Sequence, residues 1–198
     1  NLLNRRRIAP PSTILDAGCG WGVTLHVLEH AGYRVTGVDI SRQTLEMLEH
    51  EKPCRSLAEV DLTQPILQSA AIGAFDAVLA LDVIEHIDDD QAAIRRLSEF
   101  LKPGGTLIVS VPALPDFYTE FDAIQGHRRR YLPSTLRKAF DGASLELEQV
   151  FYWGRWLVPA LKSQRTRRRS LPGESPAEVY RKYLTIPPWP ISWIARLA

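Results

Sequence analysis

Cysteine is nearly absent: the 198 residues contain two, Cys19 and Cys54. Neither has a neighbour at metal-ligand spacing, which excludes a zinc knuckle, and two thiols argue against a disulfide framework. Such sparing use of thiols fits a reducing, cytoplasmic compartment. No apolar run is long enough to cross a bilayer, and the opening residues carry no signal-peptide pattern. The chain opens on Asn1 rather than Met and stops inside the apolar stretch ISWIARLA, so further sequence is expected at both ends. A charge excess is also lacking. Twenty-four Lys and Arg against 23 Asp and Glu leave a formal charge of +1, whereas a dedicated nucleic-acid binder carries a strong basic surplus.

What remains is an ordinary globular composition, 45% hydrophobic and 24% charged, enough for one domain with a real core. Strand-like and helix-like stretches alternate, the pattern of a parallel sheet covered by helices. STILDAGCG reads as a buried strand running into a turn, and WGVTLHVLEHAG as a helix stopped by Gly32. YRVTGVDI is a second strand ending at Asp39. Ser41 can cap the following helix, with Leu45 and Leu48 facing inward. CRSLAEVDL is a weaker third strand, and AFDAVLALDVI a continuous apolar fourth. Asp88, Asp89 and Asp90 favour a helix start. Ile94, Leu97 and Leu101 follow at helical spacing until KPGG ends the helix. TLIVSVPA is the fifth strand. Residues 113–140 then break the rhythm with an aromatic, charged insertion and a helix from about Pro133. SLELEQVFYW alternates like a further strand. Beyond residue 154 the pattern weakens into a basic loop over 162–176 and a short helical piece after PPWP.

The chemistry-bearing residues gather at the predicted strand ends. In DAGCGWG, Gly18, Gly20 and Gly22 permit a sharp turn and close approach of a ligand, and the amides opening the next helix favour an anionic group. Asp39 can accept both hydroxyls of a ribose. Asp61 stands where an exocyclic amine of a base would reach it. Each aspartate could equally cap its own turn, but three such features at successive strand ends favour a nucleoside. The glycine spacing is G-x-G-x-G, not the dinucleotide G-x-G-x-x-G, which argues against the main alternative, an NAD-dependent oxidoreductase.

The stretches ILDAGCGWG, VTGVDIS, the DL at 61–62, FDAVLALDVIEHI and LKPGGTLIVSVP occur in that order across residues 12–112. In this order and spacing the chain resembles the class I S-adenosylmethionine-dependent methyltransferases. The resemblance implies a doubly wound, Rossmann-like α/β fold, mostly parallel, with helices on both faces of the sheet and a substrate-side insertion after strand 5. It divides a single methyltransferase domain, residues 1–198, into a cofactor-binding core (12–112), an acceptor-side lid (113–140) and an irregular basic region (154–198). It implies S-adenosyl-L-methionine as cofactor. Asp16, Gly18 and Gly20 would hold its methionine part, Asp39 with Ile40 the ribose end, Asp61 with the Leu62 backbone the adenine, and Asp82 would stand beside the methionine moiety. The family's antiparallel last strand has no convincing counterpart here and is expected beyond Ala198.

Methyl transfer is an in-line displacement, so positioning dominates, and a general base helps when the acceptor keeps its proton at neutral pH. His86 and His127 are the candidates. The pair Glu85–His86 reads first as a structural pair that orients its loop. Relatives that use E-x-x-E-H to hold a divalent ion offer a second reading, with Asp82, Glu85 and His86 as ligands and His127 as the fourth; no metal is assigned. The insertion FYTEFDAIQGHRRRY resembles a subgroup with a G-H-x-R-R-Y segment acting on small-molecule or lipid-linked substrates. Its arginines are either a solvated turn paired with acids such as Glu120 and Asp122, or part of a lid. In the lid, His127 and Tyr131 face the methyl group while Arg128 and Arg129 bind an anionic acceptor. Arg165, Arg167, Arg168 and Arg169 lie between tryptophan-bearing segments, as in a mobile loop, a peripheral membrane contact or a nucleic-acid contact. The conclusion from sequence is a methyltransferase acting on oxygen of a small-molecule or lipid-linked acceptor, with a non-catalytic cofactor-binding module as the second alternative.

Overall fold

The computed structural model describes residues 2–52, 56–65 and 72–153, with 158, 159, 175, 177 and 178. The arginines at 165–169, the rest of the expected basic loop apart from Ser175, and the segment after PPWP lie outside the described residues. Along the chain run α1 (Leu2–Arg5), β1 (Thr13–Ala17), α2 (Val23–His30), β2 (Arg34–Asp39), α3 (Arg42–Glu51), β3 (Ser56–Glu59) and β4 (Phe75–Leu81). They are followed by α4 (Asp90–Glu99), β5 (Leu101–Ser110), α5 (Glu120–Ile124) and α6 (Pro133–Ala139), with single 3-10 turns at Ile84–His86 and Pro115–Phe117. The strands form one parallel sheet in the order β3-β2-β1-β4-β5.

That order reverses between β1 and β4. The chain steps outward from β1 to β3, returns to β4 and continues the other way, leaving a crevice at the carboxyl ends of β1 and β4 where open α/β sheets bind ligands. The sheet is apolar on both faces because successive side chains alternate. Leu15, Val78 and Ala80 join Ile94, Leu97 and Phe100 in the cluster that includes α4 and α6 residues. Ile14, Ala77 and Leu79 join Leu3, Leu28 and Tyr33 on the other side. α3 adds Leu45 and Leu48 against Leu25 and Cys19, and its first turn is closed by the Ser41 hydroxyl accepting from the Thr44 amide at 3.3 Å. At the opposite end of the sheet, Asp76 accepts from Thr13 N and Lys102 Nζ, both at 2.8 Å, which ties β1, β4 and β5 together away from the crevice.

Two boundaries differ from the sequence expectation. The helix containing Ile94 and Leu97 stops at Glu99, and Leu101 belongs to β5. Phe75 pairs with Leu101 while Ala77 pairs with Thr106. KPGG is therefore an irregularity carried within β5 rather than the end of a helix. Glycine suits position 105, because a Cβ there would lie 3.0 Å from Lys102 O and 3.1 Å from Phe75 O and press on both carbonyls. The alternating SLELEQVFYW is not a strand: residues 144–153 have no ladder partner among the described residues. Leu145 packs against the main cluster and Glu148 pairs with Arg6. Between this segment and β5 lies a groove of about 1130 Å³. Alternation reported half-burial, and half-burial does not require strand pairing. Among the described residues no helix is long and apolar enough to cross a membrane.

Candidate active site

The glycine turn is held in place by the end of β2. Gly18 and Cys19 donate their amides to Val38 O at 2.8 and 3.0 Å, and Gly20 N donates to Asp39 Oδ2 at 2.9 Å. The other Asp39 oxygen accepts from Ser41 N at 2.9 Å. These three amides are thus spent on β2 rather than left for a ligand's anionic group, while each Asp39 oxygen keeps a second lone pair. Gly18 sits at φ +73, and a Cβ there would lie 2.5 Å from Val83 Cγ2, so only glycine lets the turn close against the loop after β4. Gly20, at φ +48, has nothing within 4 Å of the same position and faces open space.

Asp16, on β1, is 2% exposed, and its Oδ2 has no hydrogen-bond partner among the described residues. Burial, aided by the Asp39 charge, pushes its carboxyl up to about 6. A buried, unpartnered carboxylate is costly, and a cationic ligand group would relieve it. Asp61 lies two residues past β3 rather than at its end. It accepts from Thr63 N at 2.8 Å, and the neighbouring Leu62 carbonyl accepts from Arg96 Nη1 at 2.7 Å. Ile40 is exposed beside the crevice. Asp82 closes β4 at φ +56, unusual for a residue with a side chain. Its amide donates to Ser110 O at 3.0 Å and its Oδ1 accepts from Ser110 Oγ at 3.2 Å.

Beyond Asp82 the 3-10 turn brings Glu85 and His86 under the insertion. Arg128 N donates to Glu85 O at 2.8 Å, which stitches the insertion to this turn. The His86 and His127 rings meet edge to face with centroids 4.8 Å apart. One ligand atom each of Glu85, His86 and His127 lies within 4.8 Å of the others, and Asp82 is not among them. Glu85 is fully buried, with neither carboxylate oxygen partnered among the described residues. Burial, with a contribution from Asp82, pushes its carboxyl up to about 8. At neutral pH it is largely a neutral acid. Burial also lowers the His86 imidazole, as does His127, favouring its neutral form.

The rest of the insertion is tied down by charge. Arg128 pairs with Asp88 at 3.4 Å, Arg129 with Asp90 at 3.2 Å and Arg130 with Asp122 at 2.8 Å. Glu120 is not among these partners: Asp88 and Asp90, placed by the turn before α4, take two of the three arginines. Tyr131 is 3% exposed and its hydroxyl donates to Asp90 Oδ2 at 2.9 Å. Burial first, and Asp90 second, hold that hydroxyl well above the usual tyrosine range. The expectation that Tyr131 faces the methyl group therefore meets a side chain committed to the core. The expected pairing of Asp122 with an arginine of this run is present, to Arg130; its second contact, Oδ1 at 3.1 Å from His127 Nδ1, had no counterpart in the sequence reading. The local signal for its place on α5 is T-x-x-D at 119–122, a helix-start pattern.

Fold and crevice together define a Rossmann-like α/β protein with its ligand site at the β1–β4 switch point. The chain belongs to the methyltransferase-domain family, whose model matches residues 2–150. Among curated proteins it is 33% identical over 104 residues to the ubiquinone biosynthesis O-methyltransferase of Xanthomonas campestris pv. campestris, covering 51% of this chain and 43% of that protein. The match thus spans under half the length of that relative. Among solved structures it is similar to an S-adenosylmethionine-dependent methyltransferase from Mesorhizobium loti, with TM-score 0.62, 18% identity and coverage of 81% of this chain and 90% of that one. It is also similar to Haemonchus contortus phosphoethanolamine N-methyltransferase 2 in complex with S-adenosyl-L-methionine, with TM-score 0.63, 22% identity and coverage of 84% and 40%. At these identities the structural likeness concerns the fold.

Proposed function

We propose that the chain transfers a methyl group from S-adenosylmethionine to an oxygen of a small-molecule or lipid-linked acceptor. The observation that carries the cofactor is the orphaned carboxylate oxygen of Asp16 beside the glycine turn. The bound cofactor supplies an electrophilic methyl carbon on a positive sulfur, which leaves as a neutral thioether. Asp16 holds the cationic methionine part over Gly18 and Gly20, and Asp82 stands beside it. Asp39, with Ile40 beside it, accepts from the ribose hydroxyls, and Asp61 with the Leu62 backbone meets the base. His127 takes the proton that the acceptor oxygen loses as its bond to carbon forms, and His86 abuts it. The name of the curated relative supports oxygen as the acceptor atom. The G-H-x-R-R-Y segment marks the acceptor side, and residues 113–140 cover it. Arg128, whose partner Asp88 is itself exposed, is the arginine free to exchange toward an anionic acceptor, with Arg129 behind it.

Calorimetry with S-adenosylhomocysteine tests the reading. Asp39→Ala should weaken binding by ~10–100-fold without unfolding the chain, as loss of hydrogen bonds to a charged group predicts. Unchanged affinity would remove the ribose assignment. Incubation with methyl-labelled cofactor and fractionated extract would then reveal the acceptor class.

A further inference from the structure

We infer that Asp122 is a positioning residue that holds His127 with Nδ1 protonated and Nε2 open, making this imidazole a directed base for the transfer proposed above, on which the inference rests. Asp122 is fully buried on α5, and its Oδ1 lies 3.1 Å from His127 Nδ1. An ionised carboxylate only accepts, so the shared proton belongs to the ring nitrogen. Burial works against ionisation, but the hydrogen bonds from Arg130 and Thr119 outweigh it and hold the carboxyl below its usual range. Arg130 Nε donates to Oδ1 at 2.8 Å. Thr119 N and Oγ1 lie 2.8 and 3.0 Å from Oδ2. With donors on both oxygens the carboxylate cannot turn away from the ring.

The imidazole is fixed at its backbone as well. His127 N donates to Asp122 O at 2.9 Å, across a turn that Gly126 closes at φ +80. The side chain is only 12% exposed, with the His86 ring against it. A structural duty for Asp122, starting α5 and pairing Arg130, would need Thr119 and Arg130 near it but would not need an imidazole nitrogen on the same oxygen. With Nδ1 engaged, Nε2 is the nitrogen available to the acceptor proton. Tautomer control of this kind is what an orienting carboxylate supplies to a catalytic histidine.

The test is ¹⁵N NMR of the full chain labelled at histidine, with S-adenosylhomocysteine bound. His127 should show a protonated Nδ1 and a bare Nε2 in wild type, and Asp122→Asn should lose that signature. Thr119→Ala disturbs the start of α5 and leaves the ring contact, so it should keep the signature; a purely structural Asp122 would make the two variants alike. Turnover with methyl-labelled cofactor and catechol as probe acceptor completes the cycle. Asp122→Asn should lower kcat by ~10²-fold, keep cofactor affinity, and cause no further loss on a His127→Ala background. A protonated Nε2 in wild type, an unchanged signature in Asp122→Asn or additive losses would overturn the inference. If wild type methylates no hydroxyl acceptor, the oxygen reading fails separately, because the tautomer is read without turnover.

Discussion

Replacing Glu85 by Gln should change how stability depends on pH more than it changes stability at any one pH. The buried carboxyl keeps its proton to about 8 when folded, against 4.5 for an ordinary glutamate. Between those values the folded chain holds one proton that the unfolded chain has released. The slope of unfolding free energy is then negative, up to ~1.4 kcal/mol per pH unit. This stability is full below about pH 4.5, is lost progressively as pH rises, and levels off above about 8. From pH 5 to pH 8 the loss is on the order of 3–4 kcal/mol. Glutamine has nearly the same shape and no ionisation, so its own unsatisfied polar atoms cost the same at every pH. Urea midpoints for both proteins at pH 5, 6, 7 and 8, in chelator-containing buffer, give the difference directly. Asp16 titrates in the same range but is common to both chains and cancels. Curves for wild type and variant that run parallel across the range would show that Glu85 is ionised in the fold, and the account of its burial would be wrong.

Two further outcomes concern the cofactor side. Gly18→Ala should cost ~2–4 kcal/mol, combining left-handed backbone strain with the clash against Val83 Cγ2. Adding Val83→Ala should recover part of that loss in thermal melts; no recovery would place the strain elsewhere. S-adenosylmethionine affinity measured by calorimetry should fall as pH drops through about 6, where Asp16 takes up its proton. Asp16→Asn should flatten that dependence and weaken binding by ~10–100-fold, whereas a surviving pH dependence would assign the titration to another group.

The glycine turn and strand end of the candidate site were legible because their constraints are local. A left-handed Gly18 jammed against Val83 and an aspartate ending β2 leave short, ordered marks in the chain. KPGG was correctly read as a break but placed on the wrong element, since the same residues that stop a helix also build an irregular strand entry. SLELEQVFYW misled because alternation describes what a segment faces, while pairing depends on a partner edge elsewhere. The acceptor half was least legible. His86 meets His127 across 41 positions of chain, and Asp88 and Asp90 reach Arg128 and Arg129 over comparable separations. Asp122, close by in sequence, was legible as one partner, but nothing near GHRRRY announces that Asp88 and Asp90 are the other two. Glu85 looked like half of a structural pair orienting its loop and is instead a fully buried acid with neither oxygen partnered among the described residues.

Each arginine of that run reaches its own carboxylate, Asp88, Asp90 or Asp122, so the segment is electrically closed. A polyanion approaching it would meet arginines already paired and carboxylates that repel it, with only Arg128, whose partner Asp88 is exposed, able to exchange readily. The same closure couples the positions as substitutions. Losing Asp90 would strand Arg129 and unseat Tyr131 together. A substitution at Asp90 should therefore be better tolerated together with changes at Arg129 and Tyr131 than alone.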